Sequence, residues 1–149
     1  MTAFEYLSRP AALRREIARK QEHVETLRRL ATRFVAPLKQ VTVRSSPDPS
    51  RMETFLADAA DGEREIRLLE EDLRRVEAET AVYISALPDV RLILLLEMRY
   101  LDGLSWAEVI RRMGYSHASV FRFHQQALDL LPPPPEDPEE DVFPRPCKY

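Results

Sequence analysis

Between Ser116 and Gln125 the chain reads SHASVFRFHQ, and at helical spacing Val120 and Phe123 fall on one side while His117, Ala118, Ser119, Phe121, Arg122 and Gln125 fall on the others. The second set has the chemistry of groups that meet the edges of base pairs. Arg122 has the fork for a bidentate bond to guanine, Gln125 the amide for adenine, and Ala118 or Phe121 an apolar surface for a thymine methyl. Ser116, Ser119 and the free amides of a first helical turn suit a phosphate oxygen. Arg111 and Arg112, just upstream, have two readings that stand side by side: contacts to a phosphate backbone, or cations that favour the C-terminal end of their own helix.

Other chemistries find little material. Glycine occurs singly at 62, 103 and 114, which rules out a Gly-rich phosphate loop, and His23, His117, His124 and Cys147 have no metal-ligand spacing. No histidine has a neighbouring nucleophile, so all three read as exposed helix residues. The many Asp and Glu read as solvated helix faces, and Trp106 as a packing residue at a helix start. No enzyme activity, cofactor or metal is expected.

The candidate residues need elements to hold them. From Asp89 the sequence becomes apolar almost all round, with Leu92 to Leu96 unbroken. Pro88 suits a first helical position, and Val90, Ile93, Leu94 and Met98 repeat at helical spacing up to Tyr100 or Leu101. Asp102-Gly103 ends that helix. Ser105 with Glu108 forms a capping box for a second helix from Trp106 to about Met113, closed by a left-handed Gly114. Ser116 caps a third helix that runs to about Leu131, with Val120, Phe123, Ala127 and either Leu128 or Leu131 as its buried stripe. Two helices joined by a three-residue turn behind an apolar helix describe a helix-turn-helix.

Upstream, charge and proline set the organisation. Residues 1 to 44 carry ten basic and four acidic residues, and residues 45 to 84 five and eleven. Leu13, Ile17, Lys20, Val24, Leu27, Ala31, Phe34 and Leu38 alternate at spacings of four and three. Met52, Phe55, Ala59, Gly62, Ile66, Leu69, Leu73, Val76, Thr80, Tyr83 and Leu87 do the same. Folding back at the Ser/Pro loop around residues 45 to 50 pairs Leu38 with Met52, Phe34 with Phe55, Ala31 with Ala59 and Leu27 with Gly62. The series continues with Val24 on Ile66, Lys20 on Leu69, Ile17 on Leu73 and Leu13 on Val76. Lys20 then comes within reach of Glu70, and the basic strip lies along the acidic one. Thr2 and Glu5 form a capping box at the start, and Pro10 either kinks that helix or opens another. A two-helix rod is too thin to bury more than its seam, so self-association is expected.

The expected architecture is therefore all-α: an antiparallel helical hairpin over 1–87, a helix-turn-helix over 88–131, and a Pro-rich acidic tail over 132–149. That tail holds seven of the twelve prolines and reads as extended and flexible. With 149 residues, a net charge of −3 and one cysteine, the chain suits a reducing cytoplasm. It has no apolar run long enough for a membrane span and no secretory signal.

The segment LDGLSWAEVIRRMGYSHASVFRFHQQALDLL resembles region 4 of sigma-70-type factors, with their Gly-Leu-Ser start, Glu-containing helix and Gly-x-Ser turn before the DNA-facing helix. Residues 4 to 131 as a whole resemble phage and prophage late transcriptional regulators of the RinA and ArpU type. The match rests on Tyr6-Leu7, the long hairpin, Arg99-Tyr100 before the turn, and this ending. The resemblance implies a sequence-specific DNA-binding regulator acting with RNA polymerase on double-stranded DNA, with Ser116 to Ser119, Arg122 and Gln125 at the DNA-facing positions. A module that docks on polymerase or another phage protein without reading bases, through Phe121 and Tyr115, and a packaging adaptor remain the alternatives. Residues 85 to 131 balance five basic against five acidic residues, so a single copy should bind DNA weakly. Dimerisation through the hairpin, or delivery by polymerase, would make up the deficit.

Overall fold

A computed structural model describes residues 1–33 and 49–136, and every regular element among them is helical. The elements are α1 (Ala3–Arg33), α2 (Pro49–Ile84), α3 (Val90–Leu96), α4 (Trp106–Met113) and α5 (His117–Leu130). A π-helical stretch, Glu97–Leu101, extends α3. No described helix is long and apolar enough to cross a membrane. The expected pairs Leu38 with Met52 and Phe34 with Phe55, most of the Ser/Pro loop, Cys147 and the tail beyond Glu136 lie outside the described residues.

The chain divides into two compact units, one of Ser8–Ala81 and one of Met1–Leu7 with the chain from Val82 onward. Tyr6, Leu7, Tyr83, Ile84 and Leu87 share a core with α3, α4 and α5.

In the Ser8–Ala81 unit, Ile17, Val24, Leu27, Ala59 and Ile66 form one buried cluster, with Phe55, Leu69 and Leu73 packed against it. Burying alternate turns of two amphipathic helices against each other removes this apolar area from water, at about 25 cal/mol per Å². Ion pairs flank the cluster: Arg9 with Glu79, Arg14 with Glu77, Lys20 with Glu65 and Arg28 with Glu63. Partners fall along α2 as they rise along α1. Two expectations are corrected here. Lys20 meets Glu65, not Glu70, because its long stem carries the ammonium off the seam toward the loop end of α2; the contact holds the Glu65 carboxyl below its usual range. Gly62 meets Val24, not Leu27: a Cβ added at Gly62 would lie 2.6 Å from Val24 Cγ2.

Thr80, fully buried, escapes the cost of an unmade hydrogen bond by donating its hydroxyl to Val76 O at 2.7 Å. Pro10 lies inside α1 and is also fully buried, so the segment is one helix from Ala3 and no second helix opens there. Its missing N–H leaves one α-helical bond unmade.

The other unit begins with the Thr2–Glu5 box. Thr2 N donates to a Glu5 carboxylate oxygen at 2.6 Å, and Glu5 N donates to Thr2 Oγ1 at 3.2 Å. These bonds hold the Glu5 carboxyl below its usual range. The core of the unit runs through Leu92, Leu95, Leu96, Val109, Val120 and Ala127.

Two expectations for α3 change. The helix starts at Val90 rather than at Pro88, because the Asp89 side chain accepts from Arg91 N at 2.9 Å and so caps it. Its inward face is Leu92, Leu95 and Leu96, whereas Val90 and Leu94 are 67% and 49% exposed. After α5 the chain passes into Pro132–Glu136 without helix, and Pro132 O accepts from the Tyr83 hydroxyl at 2.6 Å.

Candidate nucleic-acid interface

Three local devices position α4 and α5. Ser105 Oγ accepts from Glu108 N at 3.3 Å and starts α4, although the Glu108 carboxylate turns to arginines rather than back to Ser105. Gly114, at φ +72°, donates its N–H to Ile110 O at 3.1 Å and closes α4. Open space surrounds the position a Cβ would take there, so the left-handed backbone alone calls for glycine. Ser116 Oγ accepts from Ser119 N at 3.2 Å and starts α5. Val109 on α4 and Val120 on α5, both fully buried, then fix which sides of the two helices face the core.

The outer side of α5 carries the residues singled out from the sequence. His117, Ala118, Phe121, Arg122 and Gln125 are exposed, and Ser119 is half-buried. Several of their polar atoms already have partners. The Ser116 and Ser119 hydroxyls bond each other at 2.9 Å, and Gln125 Nε2 donates to Asp129 Oδ1 at 3.0 Å. Arg122 extends over the Phe123 ring, 5.8 Å from its centre. Arg111 and Arg112 both grip Glu108, each through an Nε at 3.1 Å and Arg111 through a second nitrogen. That double grip holds the Glu108 carboxyl below its usual range. The expected set is thus gathered on one side of α5, while the two arginines of α4 are joined to a carboxylate.

Sequence reasoning missed a group of contacts beneath this side. Arg99 donates to Leu104 O at 2.9 Å and lies over the Trp106 ring at 4.8 Å, tying the turn before α4 to its first residue. The Tyr100 hydroxyl and His124 Nε2 share a hydrogen bond of 2.7 Å. Trp106 packs against Phe121 at 4.7 Å and edge-on against His124 at 4.8 Å, and His117 tilts over Phe121 at 4.6 Å. His117, Phe121 and His124 recur at four and three residues, an aromatic stripe that the helical period could have revealed. His124 is therefore half-buried and bonded, not an exposed helix residue.

Burial pushes the Tyr100 hydroxyl up to about 12 and, with the Arg99 charge adding to it, holds His124 below its ordinary value. A histidine depressed in the fold takes up a proton more readily when unfolded, so stability is complete above about pH 6.5 and falls as acid is added below it. The melting temperature should drop between pH 7 and pH 5.5, and His124→Gln should flatten that slope; an equal slope in both proteins would remove His124 as its source.

Among the described residues no group of His, Cys, Asp and Glu is arranged to hold a metal ion. No protein family, curated protein or solved structure matches this chain.

Proposed function

We propose that the chain is a sequence-specific, double-stranded-DNA-binding transcriptional regulator of phage or prophage genes that acts with RNA polymerase in the cytoplasm. In this reading α4, the Gly114-Tyr115-Ser116 turn and α5 form a helix-turn-helix of the sigma region 4 kind, and α5 enters the major groove. Helices α1 and α2 form an antiparallel hairpin that sets spacing through a homo-oligomer or contacts polymerase.

The observation that carries the proposal is the disposition of α5. Its N-terminal turn is open, Val120 and Ala127 are fully buried, and His117, Ala118, Phe121, Arg122 and Gln125 lie together on the outside. Direct readout needs such a side, with a guanidinium and an amide near the leading end of a helix. Arg122 is assigned to guanine and Gln125 to adenine, with Ser116 and Ser119 at the phosphate.

The test is a salt titration of binding to the host element's promoter DNA. Arg122→Ala should lose roughly 1–3 kcal/mol of specific affinity with unchanged helicity. Equal affinity of the two proteins would remove Arg122 from base readout.

One observation favours a second reading, a protein-docking module. Arg111 and Arg112 are held by Glu108, which leaves few cations for phosphates, and Tyr115 and Phe121 offer apolar surface. Absence of binding by either protein at low salt would select it.

A further inference from the structure

Resting on the DNA-binding reading, we infer that α5 also selects its sites through thymine methyl groups, with Phe121 as a specificity-determining side chain. Apart from Arg122, the polar side chains of α5 and its cap assigned to bases and phosphate have partners within the chain: Ser116 with Ser119, and Gln125 with Asp129. Turning the Gln125 amide from Asp129 toward a base exchanges one hydrogen bond for another, and the net gain of such an exchange is small. Apolar contact carries no such cost. The 5-methyl of thymine is the apolar group that a base pair presents in the major groove, so an apolar reading surface is a thymine-reading surface.

Phe121 has the geometry for it. Phe121 is 36% exposed, and its ring centre lies 4.7 Å from that of Trp106 and 4.6 Å from that of His117. A ring already in contact with two others loses little side-chain freedom on binding. Ala118 stands three residues earlier, hence beside Phe121 on the helix surface and displaced by about 4.5 Å along the axis. The pair thus presents a ridge at Phe121 with a recess over Ala118 beside it, two adjacent apolar surfaces for methyl groups.

Duplexes selected by the full-length protein from a random-sequence pool would be resynthesised with uracil in place of thymine, which removes only the methyls. Uracil duplexes should bind the wild-type protein roughly tenfold more weakly, the loss expected for two methyl contacts. Phe121→Ala, with helicity checked, should cut the preference to roughly threefold, the share of the methyl beside Ala118, and Phe121→Leu should retain most of it. Equal binding of thymine and uracil duplexes by the wild-type protein would overturn the inference while leaving DNA binding intact. An undiminished preference in Phe121→Ala would overturn the assignment to Phe121. Failure to select any duplex at low salt would instead remove the DNA-binding reading on which the inference rests.

Discussion

Leu95→Ala should lower the unfolding free energy by roughly 2–5 kcal/mol, whereas Leu94→Ala, one residue away, should change it by about 0.5 kcal/mol or less. Both are leucines in the same apolar run, so composition does not separate them. The Leu95 side chain is fully enclosed, in a core with Leu92, Leu96, Val109 and Val120, and truncation leaves a cavity that neighbours on three helices cannot all close. Leu94 is 49% exposed and leaves no enclosed space behind. Urea unfolding followed by the fluorescence of Trp106, which packs against that core, measures both. Similar losses for the two variants would mean that α3 is rotated from the orientation described.

The second large effect concerns Gly62. Glycine is the poorest helix former after proline, and a substitution at an open helical site would gain up to about 1 kcal/mol. Here the gain is outweighed, because a Cβ would come 2.6 Å from Val24 Cγ2 and valine has little χ1 freedom with which to retreat. Gly62→Leu should therefore cost roughly 3 kcal/mol. Adding Val24→Ala should recover most of that loss, while adding Leu27→Ala should recover none. Chemical unfolding of the four proteins decides the register: rescue by Leu27→Ala would restore the pairing of Gly62 with Leu27 suggested by seam spacing, and an undiminished unfolding free energy in Gly62→Leu would refute both.

The local signals were legible because each is complete within a few residues. Thr2 with Glu5, Ser105 before Trp106, Gly114, and Ser116 before His117 each place a donor and acceptor three or four positions apart, and all four mark helix ends as expected. The helical class follows from the same short-range pattern. The inward face of α3 was not legible, because Leu92 to Leu96 is apolar in every direction and offers no contrast by which to choose a side. Pro88 is the start signal read from the sequence, and the Asp89 side-chain bond places the start two residues later.

Spacing gave the order of the α1 and α2 partners but not the offset at Lys20 or Gly62. A long flexible side chain, or the absence of one, lets the true neighbour lie a turn from the ideal layer. On α5 the exposed positions followed from Val120 and Ala127 being buried. The link from Tyr100 to His124 joins residues on separate helices and leaves no local trace, and the commitment of Arg111 and Arg112 to Glu108 competes with dipole and phosphate readings that spacing alone does not rank.

The widened turn at Glu97–Leu101 constrains chain length as well as composition. Asp102 N reaches back five residues to Glu97 O at 2.9 Å and Leu104 N six to Met98 O at 3.0 Å, so this turn holds one residue more than an α-helix would. Each residue of an α-helix advances about 100° around its axis. Removing one residue here would return the turn to α-helical spacing, and the change of phase would swing Arg99 away from Leu104 and Tyr100 away from His124 in a single step. Insertions and deletions in this stretch are thus phase errors, and homologous sequences should vary in its side chains sooner than in its count.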